Sequence, residues 1–179
     1  MSIKSKLVMA GLVAMSMASM NAMAASGNSG TVTFSGEVVD TPCNLAPGQD
    51  GTDVKVDFGQ LSMAQLNAGV KTSEPFTLKL QNCALTTTAT DGTTTTKTAS
   101  ITFDSRDADS TNAYLNTHGT AKGLGIGIDG VTFGTESALK GIVDGDNELR
   151  FTAVAQKAGT DAVTAGNFSA ATNFTISYK

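Results

Sequence analysis

The 179-residue chain has two cysteines, one histidine and no tryptophan. A zinc site would be starved of its usual ligands, and a histidine-based triad would have to use His118. Charged residues make up 16% and aromatics 6%, the formal net charge is −4, and Gly, Ala, Ser and Thr are abundant. That balance suits small-residue β-structure better than a helical enzyme or a charged disordered chain, and it gives no electrostatic footprint for nucleic acid.

Lys4 and Lys6 form a positive start, and residues 7–20 are an almost unbroken apolar or small-residue run. Ala22, Met23 and Ala24 then place small residues where a signal peptidase reads them, so residues 1–24 are expected to be a cleaved export signal. The apolar run is shorter than the roughly 20 residues of a membrane-spanning helix. A buried N-terminal helix is the competing reading. Cleavage removes two lysines and no acid, leaving an exported, soluble and more acidic product. Export gives the two cysteines a meaning: in an oxidising compartment Cys43 and Cys83 are expected to join. Closing a loop of about 41 residues is worth roughly 4 kcal/mol in the chain-entropy account. No Cys-x-x-Cys spacing supports a redox-active pair.

Residues 25–30 are small and polar, which predicts a flexible arm. Over 31–39, Val32, Phe34, Gly36 and Val38 alternate with polar residues, the period of a strand. Residues 40–51, with Pro42, Pro47 and Gly48, form a loop around Cys43. Val54, Val56 and Phe58 predict a short strand, and residues 62–68 a helical turn or two capped by Ser62. Phe76, Leu78 and Leu80 mark a strand running into Cys83. The threonine-rich stretch 86–98, centred on Asp91 and Gly92, suits a β-hairpin with a tight primed turn, a glycosylated stalk being the alternative. Strands follow at 99–104 and at Leu124, Ile126 and Ile128, with 131–133 as a candidate hairpin partner. Segments 147–155 and 167–178 supply the last two long strands. Short strands with recurrent turn signals indicate an all-β sandwich without an internal boundary.

Several motif matches are discounted. Residues 125–130 spell a dinucleotide fingerprint, but Val131 and Phe133 follow where that motif needs a helix. Asp144, Asp146 and Glu148 begin like a calcium loop, but Leu149 stands where the loop needs glycine, so a solvated turn is expected. The glycosylation-type triplets at Asn167 and Asn173 fall within an apolar-alternating strand, and His118 falls in a polar, exposed loop. No carboxylate pair stands out as acid and base, so no enzyme and no cofactor are expected.

Three features combine: GTVTFSGEVV at 30–39 followed by Pro42 and Cys43, FTLKLQNC at 76–83, and GNFSAATNFTISYK at 166–179. Together with the glycine-rich strand at 123–128, they resemble pilins of the bacterial chaperone–usher pathway, above all the major subunits of type 1-like fimbriae. The resemblance spans essentially the whole chain after residue 24. It implies an incomplete immunoglobulin-like β-sandwich that lacks its final strand and is completed by donor-strand complementation from a neighbouring subunit. The implied partners are identical or related pilin subunits, a periplasmic chaperone and an outer-membrane usher, and the implied destination is a fimbria on the bacterial surface.

The resemblance implies three regions: a signal at 1–24, a donor-strand extension at 25–36 and a pilin domain at 37–179. On one face of the donor arm lie Asn28, Gly30, Val32, Phe34 and Gly36. Gly30 is the candidate for a constricted part of the groove, with the register open by two residues. The competing reading makes 31–39 the first strand of the same domain, and the resemblance implies that the arm passes into that strand near Gly36. Phe168, Ala170, Phe174, Ile176 and Tyr178 fall on one face of the terminal strand, where they would line the acceptor groove. Tyr178 and Lys179 resemble the residues a chaperone grips at a subunit's end. A minor adaptor pilin shares all these features. From another class, a monomeric carbohydrate-binding sandwich would need exposed aromatic platforms, for which Tyr114 and Tyr178 are the only tyrosines.

Overall fold

The computed structural model describes residues 30–179, so the expected export signal and Asn28 lie outside the described residues. The chain divides between Val38 and Val39 into two units. In the first, residues 30–38 form no strand, and Val32 is 75%, Phe34 90% and Val38 101% exposed. The strand expected over 31–39 is therefore not formed. Alternation prepares one face for burial, but a strand also needs a main-chain partner, and among the described residues this segment enters no ladder.

The regular elements of the second unit are nearly all strands. Strand β1 (Asn44–Leu45) is followed by a single 3-10 turn at Gly48–Asp50 and by helix α1 (Met63–Asn67). The Ser62 hydroxyl accepts from the Gln65 amide, as a cap should. Then come β2 (Thr72–Cys83), β3 (Thr86–Thr88), β4 (Thr94–Thr96), β5 (Ala99–Asp104), β6 (Leu115–Asn116) and β7 (His118–Gly119). The series ends with β8 (Leu124–Ile128), β9 (Ser137–Leu139), β10 (Gly145–Lys157), β11 (Phe168–Ser169) and β12 (Asn173–Tyr178).

A five-stranded sheet runs β1-β2-β10-β8-β6, and a three-stranded sheet runs β12-β5-β9. The long antiparallel pair of β2 and β10 sets Leu78 opposite Leu149 and Phe76 opposite Phe151. From the other sheet, β5 sends Ile101 and Phe103 inward, and these residues form one core with Leu78, Leu80, Leu85, Leu115 and Phe133. Leu78, Leu80, Leu85, Ile101 and Phe133 are about 1% exposed, each worth roughly 1.5–3 kcal/mol of burial. A smaller second core gathers Leu66 of α1 with Leu124, Ala155 and Val163.

Several local expectations need correction. The threonine-rich segment is an exposed β3–β4 hairpin, but its turn is not primed. A primed turn needs positive φ at the first central residue at least; here the Gly92 amide closes on the Ala89 carbonyl, so Thr90 and Asp91 are central and neither is left-handed, while Gly92 (φ 85°) follows them. Residues 131–133 do not return as a strand. Turns close at Val131 and Thr135, and Phe133 instead drops into the core while its amide reaches the Asn112 carbonyl. The long strand expected at 167–178 is split: β11 pairs with β7, whereas β12 pairs with β5. Between them, Ser105 donates to the Ala171 carbonyl and Thr172 to the Asp104 carbonyl, and these bonds carry the chain from one sheet to the other. His118 is exposed as expected, but lies in β7 rather than a loop, with Nε2 2.9 Å from Asp107.

The glycines of β8 admit another layer, as expected. A methyl on Gly125 would lie 2.5 Å from the Tyr114 ring. Asp144 and Asp146 cap main chain: Asp144 accepts from the Leu85 and Thr86 amides (2.6 and 3.1 Å) and Asp146 from Asn82 (2.9 Å). Hydrogen bonds from Thr86 and the Leu85 amide hold the Asp144 carboxyl below its usual range.

Candidate functional site: a groove between two unpaired edges

Strand β12 bonds to β5 on one side and, among the described residues, to no strand on the other. Across from it runs the segment expected to be a strand at 54–58. Its side chains alternate as a strand's do, with Val54, Val56 and Phe58 half-buried and Lys55 and Asp57 exposed. Among the described residues it nevertheless joins no ladder. Its main chain is held by a side chain instead: Gln49 donates to the Lys55 carbonyl (2.7 Å) and accepts from the Lys55 amide (3.0 Å). Sequence reasoning found the pattern here and missed the absence of pairing.

Between these edges lies a groove of about 730 Å³ lined by Val54, Val56, Phe58 and residues 168–174, with Phe76, Leu78, Phe103 and Phe133 also facing it. A recess of about 190 Å³ is lined by Val39, Cys43, Leu45, Phe174, Ile176 and Tyr178. The two walls run in opposite directions, 39 to 58 against 178 to 168. Aromatic contacts underlie the wide part: Phe103 lies 5.2 Å from Phe151 and 6.1 Å from Phe174, and Phe76 lies 5.4 Å from Phe151, between ring centroids.

Ala170, Phe174, Ile176 and Tyr178 are half-buried against the main core. Phe168 lies in β11 and packs on the second core, Phe174, Ile176 and Tyr178 lie in β12, and Ala170 falls in the link between them, so the five residues expected on one strand face do not share a strand. Burial raises the Tyr178 phenol above its ordinary pKa. Lys179 continues the β12–β5 pairing by exchanging main-chain bonds with Thr98 (2.8 and 2.9 Å), and its Nζ reaches both Glu136 oxygens (2.8 and 3.0 Å). Hydrogen bonds from Lys179 and Ser100 hold the Glu136 carboxyl below its usual range. Glu136 was not anticipated, because no local pattern marks a partner 43 residues away.

Cys43 and Cys83 are joined as expected, with Cα atoms 4.1 Å apart and both residues buried. The bond fastens the wall of the narrow recess to the end of β2. Gly30, Val32, Phe34 and Gly36 lie exposed in the other unit.

The family model described as fimbrial protein matches residues 32–179. The chain belongs to the fimbrial protein family. Relatives include the Fimbria A protein of Serratia marcescens, 34% identical with 97% of this chain and 98% of the relative covered. The Pap fimbrial major pilin protein of Escherichia coli is 35% identical, covering 97% and 99%. Among solved structures, a subunit of a chaperone–usher pilus superposes with a TM-score of 0.71 at 32% identity, covering 85% of this chain and 96% of that one. The P pilus rod subunit PapA gives 0.64 at 29% identity, covering 78% and 100%.

This fimbrial subunit is thus an immunoglobulin-like β-sandwich lacking a strand. It is a structural protein rather than an enzyme, and it associates with other pilin subunits in an extracellular surface fimbria.

Proposed function

We propose that this subunit builds the fimbrial rod by donor-strand exchange: its groove accepts the arm of one neighbour, and its own arm completes another. The observation that carries this reading is the groove itself, an apolar channel bordered on both sides by edges without a strand partner. Such edges invite a further strand, whose main-chain bonds supply affinity and whose alternate side chains supply specificity. The donor is the face carrying Asn28, Gly30, Val32, Phe34 and Gly36. Val32 and Phe34 are exposed and supply two apolar anchors, each worth about 1.5–3 kcal/mol if fully buried. The volumes suggest the fit, with the wide part taking Phe34 and the narrow recess taking a small residue such as Gly30.

Residues 1–24 direct export into the periplasm. There a chaperone covers the groove and engages the end of β12 at Tyr178 and Lys179, and an outer-membrane usher then releases subunits into the growing fibre. The names of the relatives favour a major rod subunit over a minor adaptor. Donor extension 25–36 and pilin domain 37–179 are the two working parts.

Two variants test the exchange. Deleting residues 25–35 should halt polymerisation and leave an aggregating protein. Fusing the same segment through a linker after Lys179 of that deletion should yield a very stable monomer. A deletion that folds alone as a stable monomer would exclude the proposal.

A further inference from the structure

Away from the groove, the β3–β4 ribbon leaves a further strand edge open. It is a sheet of two strands, and every residue from 86 to 98 is exposed. Its strands pair Thr86 with Thr96, Thr87 with Thr95 and Thr88 with Thr94. The Ala89 amide bonds the Thr93 carbonyl (2.8 Å), and the Lys97 amide bonds the Leu85 carbonyl (3.0 Å). Bonded and non-bonded pairs alternate along an antiparallel ladder, so Thr94 and Thr96 turn their amides and carbonyls outward. On the β3 side, Asp144 already occupies the Thr86 amide at 3.1 Å. On the β4 side, no main-chain group meets Thr94 or Thr96 from outside the ribbon among the described residues.

Strand edges that face water are normally guarded by charge, proline or a bulge. Strand β4 carries neither charge nor proline, and the charges nearest to it are Asp91 in the turn and Lys97 at the root. Both stand three residues from Thr94. A second β4 laid antiparallel along this edge, Thr94 facing Thr94, therefore sets each Asp91 across from the other copy's Lys97. The Thr93 amide bonds Asp91 Oδ1 (2.8 Å) and holds that carboxyl below its usual range, so the charge is present at neutral pH. The chain as a whole carries −4, which sets copies against one another. At this edge the charges are balanced and match themselves.

We propose that the open β4 edge is a self-association site, which pairs the ribbon with that of a second copy of this chain in a neighbouring fibre. The contact is two-fold and closes on itself. Successive subunits of a head-to-tail fibre differ by a translation, so the contact joins separate fibres and bundles them side by side. The head-to-tail arrangement rests on the donor-strand reading. Three residues per strand bury far less than the roughly 1,200 Å² of a stable complex, so a single pair is weak. A fibre repeats the contact along its length, and many weak pairs then act together.

The test uses fibres sheared from cells that express the full chain, with bundling followed by light scattering and electron microscopy. Wild-type fibres should bundle as their concentration rises. Lys97→Glu or Asp91→Lys sets like charges across the contact, and each should raise the concentration needed for bundling by about tenfold or more, with fibre assembly unchanged. A one-to-one mixture of these two fibres should bundle as wild type does, because both charge pairs are again opposite. Thr94→Pro removes an outward amide without breaking a ribbon bond and should also disperse the fibres. Wild-type fibres that stay single at every concentration overturn the proposal. Reversal variants that bundle like wild type, or a mixture that stays dispersed, overturn it too. Fibres that assemble without residues 25–35 would instead refute the donor-strand reading and leave the ribbon edge standing.

Discussion

Replacing both Cys43 and Cys83 by alanine separates what the disulfide does for the unfolded chain from what it does for the groove wall. The two residues are 40 apart in sequence, and each is about 5% exposed. Alanine leaves no unpaired hydroxyl in the core. Releasing a closed loop of this size frees the unfolded chain by roughly 4 kcal/mol in the entropy account. A typical domain has a total stability of only about 5–15 kcal/mol, and for its size class the loss should lower the melting temperature by about 8–16 °C.

The wall keeps other attachments. The Ala84 amide bonds to the Pro42 carbonyl (2.7 Å), the Ala46 amide to the Lys79 carbonyl (2.9 Å), and β1 pairs with β2. In the cold, the variant should therefore keep its β-sheet circular dichroism and its compact size. Circular dichroism melts of wild type and variant, at matched low concentration so that association does not shift the midpoint, measure the difference. A stability loss below about 1 kcal/mol would refute the staple argument. A variant without sheet signal at low temperature would show that the bond builds the wall rather than constraining the unfolded chain.

Two other sites give sharp expectations. Gly125→Ala would place a methyl 2.5 Å from Tyr114 Cδ2 and 3.0 Å from Cγ, so urea titration should show about 1–3 kcal/mol of overpacking, partly relieved by adding Tyr114→Ala. Asp109 has its pKa lowered to about 2, chiefly by the Thr111 hydroxyl and further by the Tyr114, Thr111 and Ala113 amides. A depressed carboxyl stabilises the fold above its unfolded-state pKa of about 4 and loses that contribution as pH falls through the folded value near 2. Urea midpoints taken between pH 5 and pH 2 should fall more steeply for wild type than for Asp109→Ala, and parallel profiles would refute the assignment.

Much of the sandwich was legible because its signals are local. Leu78 and Leu80, Ile101 and Phe103, and Leu124 and Ile128 alternate over enough residues to mark a buried face, and Ser62 caps the helix it precedes. What was illegible depends on partners distant in sequence. The break between β11 and β12 rests on Ser105 and Thr172 binding main chain across 66 and 68 residues. Phe133 looked like part of a returning strand because its burial comes from the core beneath it, and no ladder beside it is needed. Phe174, Ile176 and Tyr178 were readable as one face, since one side of a terminal strand is half-buried whether or not the strand is continuous. The opposite wall was not, because an unpaired strand and a paired one share the same alternation.

Three segments carry that alternation and have different fates. In β2, Leu78 and Leu80 are buried, Phe76 is half-buried, and the main chain is paired, mainly with β10. At 54–58 the inner side chains are half-covered and the main chain lacks a ladder. At 30–38, both cover and ladder are absent, and Phe34 remains 90% exposed. A period of two specifies which face seeks apolar contact, but not where that contact is found. For a monomer, an arm presenting Val32 and Phe34 to water would gain nothing from the pattern, and an uncovered groove would add an aggregation hazard. The two defects have complementary form: an arm with alternate apolar residues and no partner, and a channel flanked by two edges with no strand between them. Under the proposed donor-strand exchange, one strand added to the channel would pair both edges and cover Val32 and Phe34 together, so a second copy of the chain would resolve both defects at once.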